Sequence, residues 1–268
     1  MSTQGHIVQS ADGVSIHHNV RGEGTPALVF VHGWCGSHHV WDHQTDHFAP
    51  HYTVVSLDLA GHGASGRGRD RWTIPAFGQN VTTVVRKLGV EHAILIGHSI
   101  GGRVIVEAAH CLPETAIGLV GVEAWHDVED PQTPAQVAEF LAPFRSDFVE
   151  AGHGLAPVLF APTTDPLLVE DVLKKLLAFP PDIAIAVWEE YAVYERTVRE
   201  RLRAISVPKV AINSTYPFTT NVEAIQRCGV DLVFMSGVGH MVMVEDPQGF
   251  NRLLDEALKN LVGPGVPK

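Results

Sequence analysis

Cysteine, charge and long apolar runs are all scarce in this chain of 268 residues. The three cysteines, Cys35, Cys111 and Cys228, are far apart and odd in number, so neither a disulfide framework nor a Cys-x-x-Cys site is expected. Charged residues make up 18 % of the chain and the net charge is −11, which argues against nucleic acid and against an anionic membrane as partners. No stretch reaches about 18 apolar residues, so no membrane-spanning helix is expected.

Signals for export, cofactors and metals are also missing. The first residues contain no basic region followed by an apolar run, so we expect no signal peptide and a cytoplasmic location. The strand–helix junction described below carries neither GxGxxG nor GxxxxGK followed by Ser or Thr, and no cofactor is expected. Histidines pair at helical spacing in one short stretch, but without an HExxH pattern, so we predict no metal site there: His38, His39, His43 and His47.

The most informative segment is residues 94–102, which read Ile-Leu-Ile-Gly-His-Ser-Ile-Gly-Gly. An apolar strand runs directly into Gly-x-Ser-x-Gly, with Ser99 at its centre, and an amphipathic stretch follows. A nucleophile elbow has this strand–turn–helix context, because the sharp turn lifts the serine side chain clear of the sheet. The turn leaves little room for side chains two residues away, which explains Gly97 and Gly101. We therefore predict that Ser99 is a nucleophile.

Strand and helix patterns alternate along most of the chain, which predicts a mostly parallel sheet with helices on both faces. Residues 1–127 are expected to form the first part of this α/β core, and residues 206–268 the second part, with a frayed tail at 263–268. Between them, residues 128–205 show helical periodicity without buried strands, and prolines interrupt them repeatedly. We interpret this segment as a helical cap inserted into the core.

A serine hydroxyl is a weak nucleophile and needs a base, which a carboxylate in turn orients. His240 follows the last predicted strand, and the small residues before it allow the loop to turn back towards Ser99. No acidic residue closely follows the preceding strand, so the acid must come from elsewhere. Glu123 ends the strand after the elbow helix, at the same rim of the sheet. We predict Glu123 as the acid and keep Asp127 as the alternative.

Two backbone N–H groups are expected to form an oxyanion hole for the developing charge. One should come from Ile100, directly after the nucleophile, and the other from Trp34, in the loop after a buried strand. Gly33 would let this loop approach a substrate closely. Arg103 is expected to form a structural ion pair and not to bind a substrate carboxylate. The residues expected in the substrate pocket are Gly33, Phe144, Trp188, Tyr191 and Met241.

Over nearly its whole length the chain resembles the α/β-hydrolase superfamily, on four landmarks: His32-Gly33-Trp34, Asp58-Leu59-Ala60-Gly61-His62-Gly63-Ala64-Ser65, Gly97-His98-Ser99-Ile100-Gly101 and Gly239-His240. The resemblance implies a mostly parallel eight-stranded α/β sheet with helices on both faces and an inserted helical cap. It also implies a triad in the chain order serine, acid, histidine.

Two narrower groups are similar in placing the acid after the sixth strand. Zearalenone-type lactone hydrolases use a Ser–Glu–His triad with similar spacing, which implies these roles for Ser99, Glu123 and His240. Cofactor-free 2,4-dioxygenases of 3-hydroxy-4-quinolones are similar in their Gly-Trp-Cys loop and His-Ser-x-Gly-Gly elbow. Those oxygenases, however, carry His where this chain has Ile100, and Asp where it has Glu123.

We therefore expect a serine hydrolase that cleaves a carboxylic ester or lactone of a hydrophobic small molecule through an acyl-enzyme on Ser99. Aromatic residues of the cap segment favour the hydrophobic substrate. Two alternatives stay open. One is a cofactor-independent dioxygenase of a hydroxy-heteroaromatic, quinolone-like substrate that His240 deprotonates. The other is a ligand-binding protein that keeps the hydrolase fold, and assembly as a homodimer is also left open.

Overall fold

The computed structural model describes residues 5–262, whose strands form one eight-stranded sheet in the order β1-β2-β4-β3-β5-β6-β7-β8. Strand β2 pairs antiparallel with β1 and β4, and the other described pairings are parallel. The predicted mostly parallel eight-stranded sheet is confirmed, whereas the predicted tail at 263–268 lies outside the described residues. The strands are β1 His6–Gln9, β2 Ser15–Arg21, β3 Ala27–Val31, β4 Val54–Leu57, β5 Ala93–His98, β6 Ala116–Val122, β7 Lys209–Ser214 and β8 Val230–Met235.

Helices connect the strands and cover both faces of the sheet. Their bounds are 3₁₀ helix His38–Trp41, α1 Asp42–Phe48, α2 Ile74–Lys87, α3 Gly101–Cys111, α4 Pro134–Ser146, α5 Phe148–His153, α6 Ala156–Leu159, α7 Pro166–Leu177, α8 Pro181–Arg203, α9 Val222–Gln226, α10 Val242–Glu245 and α11 Pro247–Leu261. Because successive side chains of a strand point to opposite faces, one apolar run serves two cores. In β3 and β5, Val31 and Leu95 pack in one core with α2 and α3, whereas Phe30 and Ile96 pack in the other with α1 and α11.

Five helices, α4 to α8, occupy the chain between β6 and β7, where the sequence shows helical periodicity. Helix α4 ends at Ser146, and Asp147 caps the next helix: its side chain accepts hydrogen bonds from the N–H groups of Val149 and Glu150. The division of the chain at 128 and 205 stays a prediction. None of the described helices combines the length and the apolar character that crossing a bilayer requires.

The turn between β5 and α3 is closed by glycines. A Cβ on Gly97 would lie 2.3 Å from the carbonyl oxygen of Gly101, and one on Gly101 would lie 2.6 Å from the carbonyl oxygen of His32. Between them, Ser99 has a φ of 53°, in the left-handed region that residues with side chains rarely adopt. Backbone crowding is therefore the physical reason for glycine at both positions.

We expect Gly97→Ala to destabilise the fold by roughly 1–3 kcal/mol, because the added methyl group meets backbone that no side-chain rotation can move. Urea unfolding followed by circular dichroism would measure the change. The matched control is Gly68→Ala, since a Cβ on Gly68 meets no atom within 4 Å. Equal free energies of unfolding for the two variants would contradict this account of the turn.

Candidate active site

The carboxyl ends of neighbouring strands bring three polar side chains to one cavity. Ser99 follows β5, Glu123 follows β6, and His240 lies in the loop after β8. All three line a cavity of about 1000 Å³, whose opposite walls come from helices α4, α7 and α8. A crevice at the carboxyl ends of parallel strands is where open α/β sheets bind their ligands.

A direct contact joins Glu123 and His240. The Nδ1 atom of His240 lies 3.1 Å from Oε2 of Glu123, and the backbone N–H of Ser214, at the end of β7, donates to the other carboxylate oxygen. Because a carboxylate only accepts hydrogen bonds, Nδ1 carries the proton in this contact. The Nε2 atom of His240 is then left with a free lone pair, which is the tautomer that a general base requires.

The surroundings of Glu123 keep its carboxylate ionised, although it is only 1 % exposed. Burial raises the pKa of Glu123, but the imidazoles of His126 and His240 outweigh burial and lower it to about 2. The Nε2 atom of His126 lies 3.4 Å from Oε2 of Glu123, the same oxygen that faces His240. No motif singles out His126, because it stands in an irregular loop. Its only sequence signal is a position three residues after the predicted acid.

Asp127, the alternative acid, lines the same cavity but is directed elsewhere. Its Oδ2 accepts a hydrogen bond of 2.9 Å from Nδ2 of Asn221, and its Oδ1 accepts one of 2.8 Å from the backbone N–H of Glu129. Of the two carboxylates, the structure therefore places Glu123 against His240.

His98 connects the elbow to the loop that carries His240. Its Nε2 donates a hydrogen bond of 3.0 Å to the carbonyl oxygen of His240. Burial, together with the neighbouring His240, lowers the pKa of His98 to about 3, so this ring is neutral near pH 7. His62 likewise bonds to backbone, with Nδ1 lying 3.0 Å from the carbonyl oxygen of Ala60, and burial lowers its pKa to about 3.

The loop after β3 faces the elbow, and His32 fixes its shape. The Nε2 atom of His32 accepts a hydrogen bond of 3.0 Å from the N–H of Leu59, so Nδ1 is the protonated nitrogen and donates to the carbonyl oxygen of Gly33 at 2.8 Å. Because a trans peptide is planar, holding the Gly33 carbonyl also directs the N–H of Trp34 to the opposite side. In the described chain, the N–H groups of Trp34 and Ile100 donate to no protein acceptor. A Cβ on Gly33 would lie 3.1 Å from Cβ of Ser99, so this loop touches the elbow.

Four of the five residues expected in the pocket line the cavity: Gly33, Trp188, Tyr191 and Met241. Phe144 is not among the residues that line the cavity; its ring is 4 % exposed and packs edge-on against Trp34 at 5.5 Å. The α4 residue that reaches the cavity is Phe140, one turn earlier, which stacks on Trp188 at 4.3 Å. Helical periodicity alone cannot show which of two phenylalanines a turn apart faces the cavity.

A buried ion pair forms another part of the wall. Arg103, in α3, donates from Nε and Nη2 to the two carboxylate oxygens of Glu195, in α8, at 2.7 and 2.9 Å. Burial lowers the pKa of Arg103, but the Glu195 carboxylate more than offsets this and raises the pKa above its usual value. The guanidinium is fully engaged, which makes it a structural partner that joins α8 to the elbow helix.

Two groups of side chains among the described residues could hold a metal ion: one is His17, His38 and Asp58, and the other is Glu123, His126 and His240. Of the histidines that pair at helical spacing in the sequence, only His38 belongs to either group.

Similar proteins match most of the length of this chain. A karrikin insensitive 2 receptor, form CA, of Petunia hybrida is 25 % identical over 86 % of this chain and 91 % of its own length. The 3-oxoadipate enol-lactonase 2 of Acinetobacter baylyi is 26 % identical over 87 % of this chain and 89 % of its own. The solved structure of Est816, described as an N-acyl homoserine lactone degrading enzyme, superposes with a TM-score of 0.79 at 26 % identity and covers 94 % of this chain and 99 % of its own.

The family described as the alpha/beta hydrolase fold matches residues 26–161, which is half of the chain. This range includes the loop after β3, the elbow with Ser99, and Glu123 directly after β6. His240 lies beyond that range, but the solved structure covers nearly the whole chain. With the sheet order, the strained serine turn and this match in agreement, the chain belongs to the α/β-hydrolase fold family.

Proposed function

We propose that this protein is a serine hydrolase that cleaves a carboxylic ester or lactone of a hydrophobic small molecule through an acyl-enzyme on Ser99. The observation that carries the proposal is the contact between Nδ1 of His240 and the buried, ionised Glu123, at the rim where the strained turn presents Ser99. A base oriented in this way has its second nitrogen free to accept the serine proton.

The chemistry follows from these positions. Nε2 of His240 accepts the proton of Ser99 as Oγ attacks the substrate carbonyl carbon, and Glu123 stabilises the imidazolium that forms. The N–H groups of Trp34 and Ile100 hold the negatively charged oxygen. His240 then gives the proton to the departing alcohol, which stays attached to the acyl chain if the substrate is a lactone. A water molecule that loses its proton to His240 attacks the acyl-enzyme carbonyl. His240 then returns that proton to Oγ of Ser99 as the bond to the acyl group breaks and the carboxylic acid leaves.

The hydrophobic substrate is supported by the cavity wall, where aromatic rings face the elbow from the helices between β6 and β7. Phe140, Trp188 and Tyr191 form a continuous aromatic surface, with Trp188 and Tyr191 at 5.3 Å. Trp34 is held against this surface, since its indole N–H donates to the carbonyl oxygen of Ala184 at 2.8 Å. Such a wall binds apolar groups. The enol-lactonase relative, together with the structural neighbour described as degrading N-acyl homoserine lactones, supports an ester or lactone carbonyl as the reacting group.

A second candidate function is a ligand-binding protein, because the petunia relative that matches over most of both chains is a receptor. Such a protein would bind its ligand saturably and turn it over slowly or not at all. The intact set of reactive groups around Ser99 favours the hydrolase.

The test combines mass spectrometry of the intact protein after treatment with a fluorophosphonate probe and turnover of p-nitrophenyl esters of increasing acyl length. We expect one adduct, on Ser99, and turnover that depends on acyl length. A folded protein that gives neither adduct nor turnover would contradict the proposal. Saturable ligand binding would then favour the receptor, and dioxygen consumption with a 3-hydroxy-4-quinolone would favour the oxygenase.

A further inference from the structure

We propose that Glu123, His126 and His240 form a binding site for Zn²⁺, and that the bound ion switches off the reaction at Ser99. Two imidazoles and one carboxylate are a ligand set that zinc uses in proteins. The binding site stands by itself, whereas the inhibition rests on the function proposed above. This differs from the sequence expectation of no metal, because the two histidines are far apart in the sequence and no spacing pattern connects them.

The distances suit a tetrahedral ion. With ligand bonds of about 2.0–2.2 Å, neighbouring ligand atoms of a tetrahedral zinc site lie about 3.4 Å apart. Oε2 of Glu123 lies 3.1 Å from Nδ1 of His240 and 3.4 Å from Nε2 of His126. One ligand atom from each of the three residues lies within 4.8 Å of the other two.

The contact of His126 with Glu123 is not a satisfied hydrogen bond. Nε2 of His126 is buried and has no hydrogen-bond partner of good geometry, although it faces the carboxylate. On the other side of the ring, Nδ1 lies 3.1 Å from Oγ1 of Thr220, which holds the imidazole in this orientation. A carboxylate oxygen and a buried nitrogen that face one another without a good hydrogen bond are a suitable pair of metal ligands. Such an outer contact to the second nitrogen is typical of metal-binding histidine.

An ion can reach Glu123, His126 and His240 more easily than the second group, which surrounds Asp58. Glu123, His126 and His240 all line the cavity, so an ion can enter and keep a water molecule in the fourth position. Asp58 does not line this cavity, and its two oxygens already accept hydrogen bonds from the backbone N–H groups of His38 and Ala64. An ion at Asp58 would have to displace those bonds.

Zinc at this site would remove the base by changing its tautomer. Metal binding through Nδ1 of His240 requires that nitrogen to lose its proton, and the neutral ring then carries its proton on Nε2. Nε2 becomes a donor and can no longer accept the proton of Ser99. Glu123 can also no longer orient His240 or stabilise its imidazolium, because the oxygen that faces His240 now binds the ion.

The binding test uses the Ser99→Ala variant, which keeps all three ligands and needs no turnover. We expect Co²⁺ to bind with one equivalent and the visible absorption of a tetrahedral complex, and Zn²⁺ to displace it. Adding His126→Gln should weaken binding at least about tenfold, the loss that even an outer partner causes at zinc sites. The control is His47→Gln, because exposed His47 also faces a carboxylate, Asp255 at 2.9 Å, but lies outside the cavity.

Unchanged affinity in His126→Gln, or a loss in His47→Gln instead, would overturn the site. Nitrogen NMR of the histidines in the unmodified chain keeps the test decisive if His126→Gln does not fold. Zn²⁺ should shift the resonances of Nδ1 of His240 and Nε2 of His126 and place the His240 proton on Nε2. No shift at these two nitrogens would likewise overturn it.

The inhibition test measures p-nitrophenyl ester turnover against Zn²⁺, with each variant compared with its own metal-free rate. Wild type should lose turnover at a Zn²⁺ concentration that matches the binding affinity, and EDTA should restore it. His126→Gln should tolerate at least about tenfold more Zn²⁺. Stimulation by Zn²⁺ would overturn the inhibitory role. Absence of turnover from metal-free wild type would contradict the proposed hydrolase, while the binding test would still decide the metal site.

Discussion

The Ser99→Ala variant is expected to lose nearly all ester and lactone turnover, by about 10⁶-fold in kcat, the effect that removal of the nucleophile has in a comparable triad. The loss is large because the side chain forms the acyl-enzyme and no neighbouring group can replace it. Steady-state kinetics on the preferred p-nitrophenyl ester would measure it, with circular dichroism to show that the variant is folded.

A matched control is Ser37→Ala, because Ser37 lines the same cavity and its side chain caps no helix N–H group. This control should stay within a few-fold of wild type. Cys35 also lines the cavity, but burial raises the pKa of its thiol well above the usual value, so little thiolate is available to act instead. Turnover by Ser99→Ala within a few-fold of wild type would show that the reaction does not pass through this serine.

The second large effect is expected for Glu123→Gln, which should lower kcat by several thousand-fold, on the order of 10⁴ by analogy with a triad carboxamide. The amide has nearly the same shape, and its oxygen can still accept from the N–H of Ser214. However, it carries no charge to stabilise the imidazolium of His240, and its NH₂ group favours the wrong tautomer of that ring. The measurement is kcat and KM on the same ester, with the loss expected in kcat.

Asp127→Asn is the matched control for this variant, since it makes the same chemical change on a carboxylate of the same cavity. Its oxygens accept from Asn221 and Glu129 and not from His240, so we expect near-normal kcat. A large loss in Asp127→Asn together with near-normal Glu123→Gln would move the acid to Asp127.

Part of the fold could be predicted from the sequence, because steric crowding and burial restrict which residues are possible at particular positions. The glycines of Gly-x-Ser-x-Gly predict the turn because the backbone there leaves no space for a Cβ, and the structure has the same close approaches. The apolar runs of β3 and β5 predict strands buried on both faces, and both faces are covered by helices. The boundary between two short helices is harder to predict. Helix α5 begins after the capping residue Asp147, one residue beyond the end of α4, and helical periodicity continues through both helices without a break.

In the candidate site, too, the sequence predicts some residues and not others. Glu123 and His240 follow from the rule that strand ends meet at one rim, since each stands at the end of a buried strand or in the loop after one. His126 lies only three residues after Glu123, but it stands in an irregular loop and matches no motif. The contact of Ser214 with Glu123 comes from another strand, so no local pattern predicts it. The same is true of the bond from His98 to the carbonyl oxygen of His240.

By itself, the sequence determined the strand pattern, the serine turn and the residues available as acid and base, because these depend on steric and periodic constraints within a few residues. Only the tertiary structure decided that Glu123 and not Asp127 faces His240, and that Phe140 and not Phe144 lines the cavity. Those outcomes depend on how strand ends and helix faces from distant parts of the chain pack together. A shift of one residue or one helical turn changes them while the local pattern stays the same.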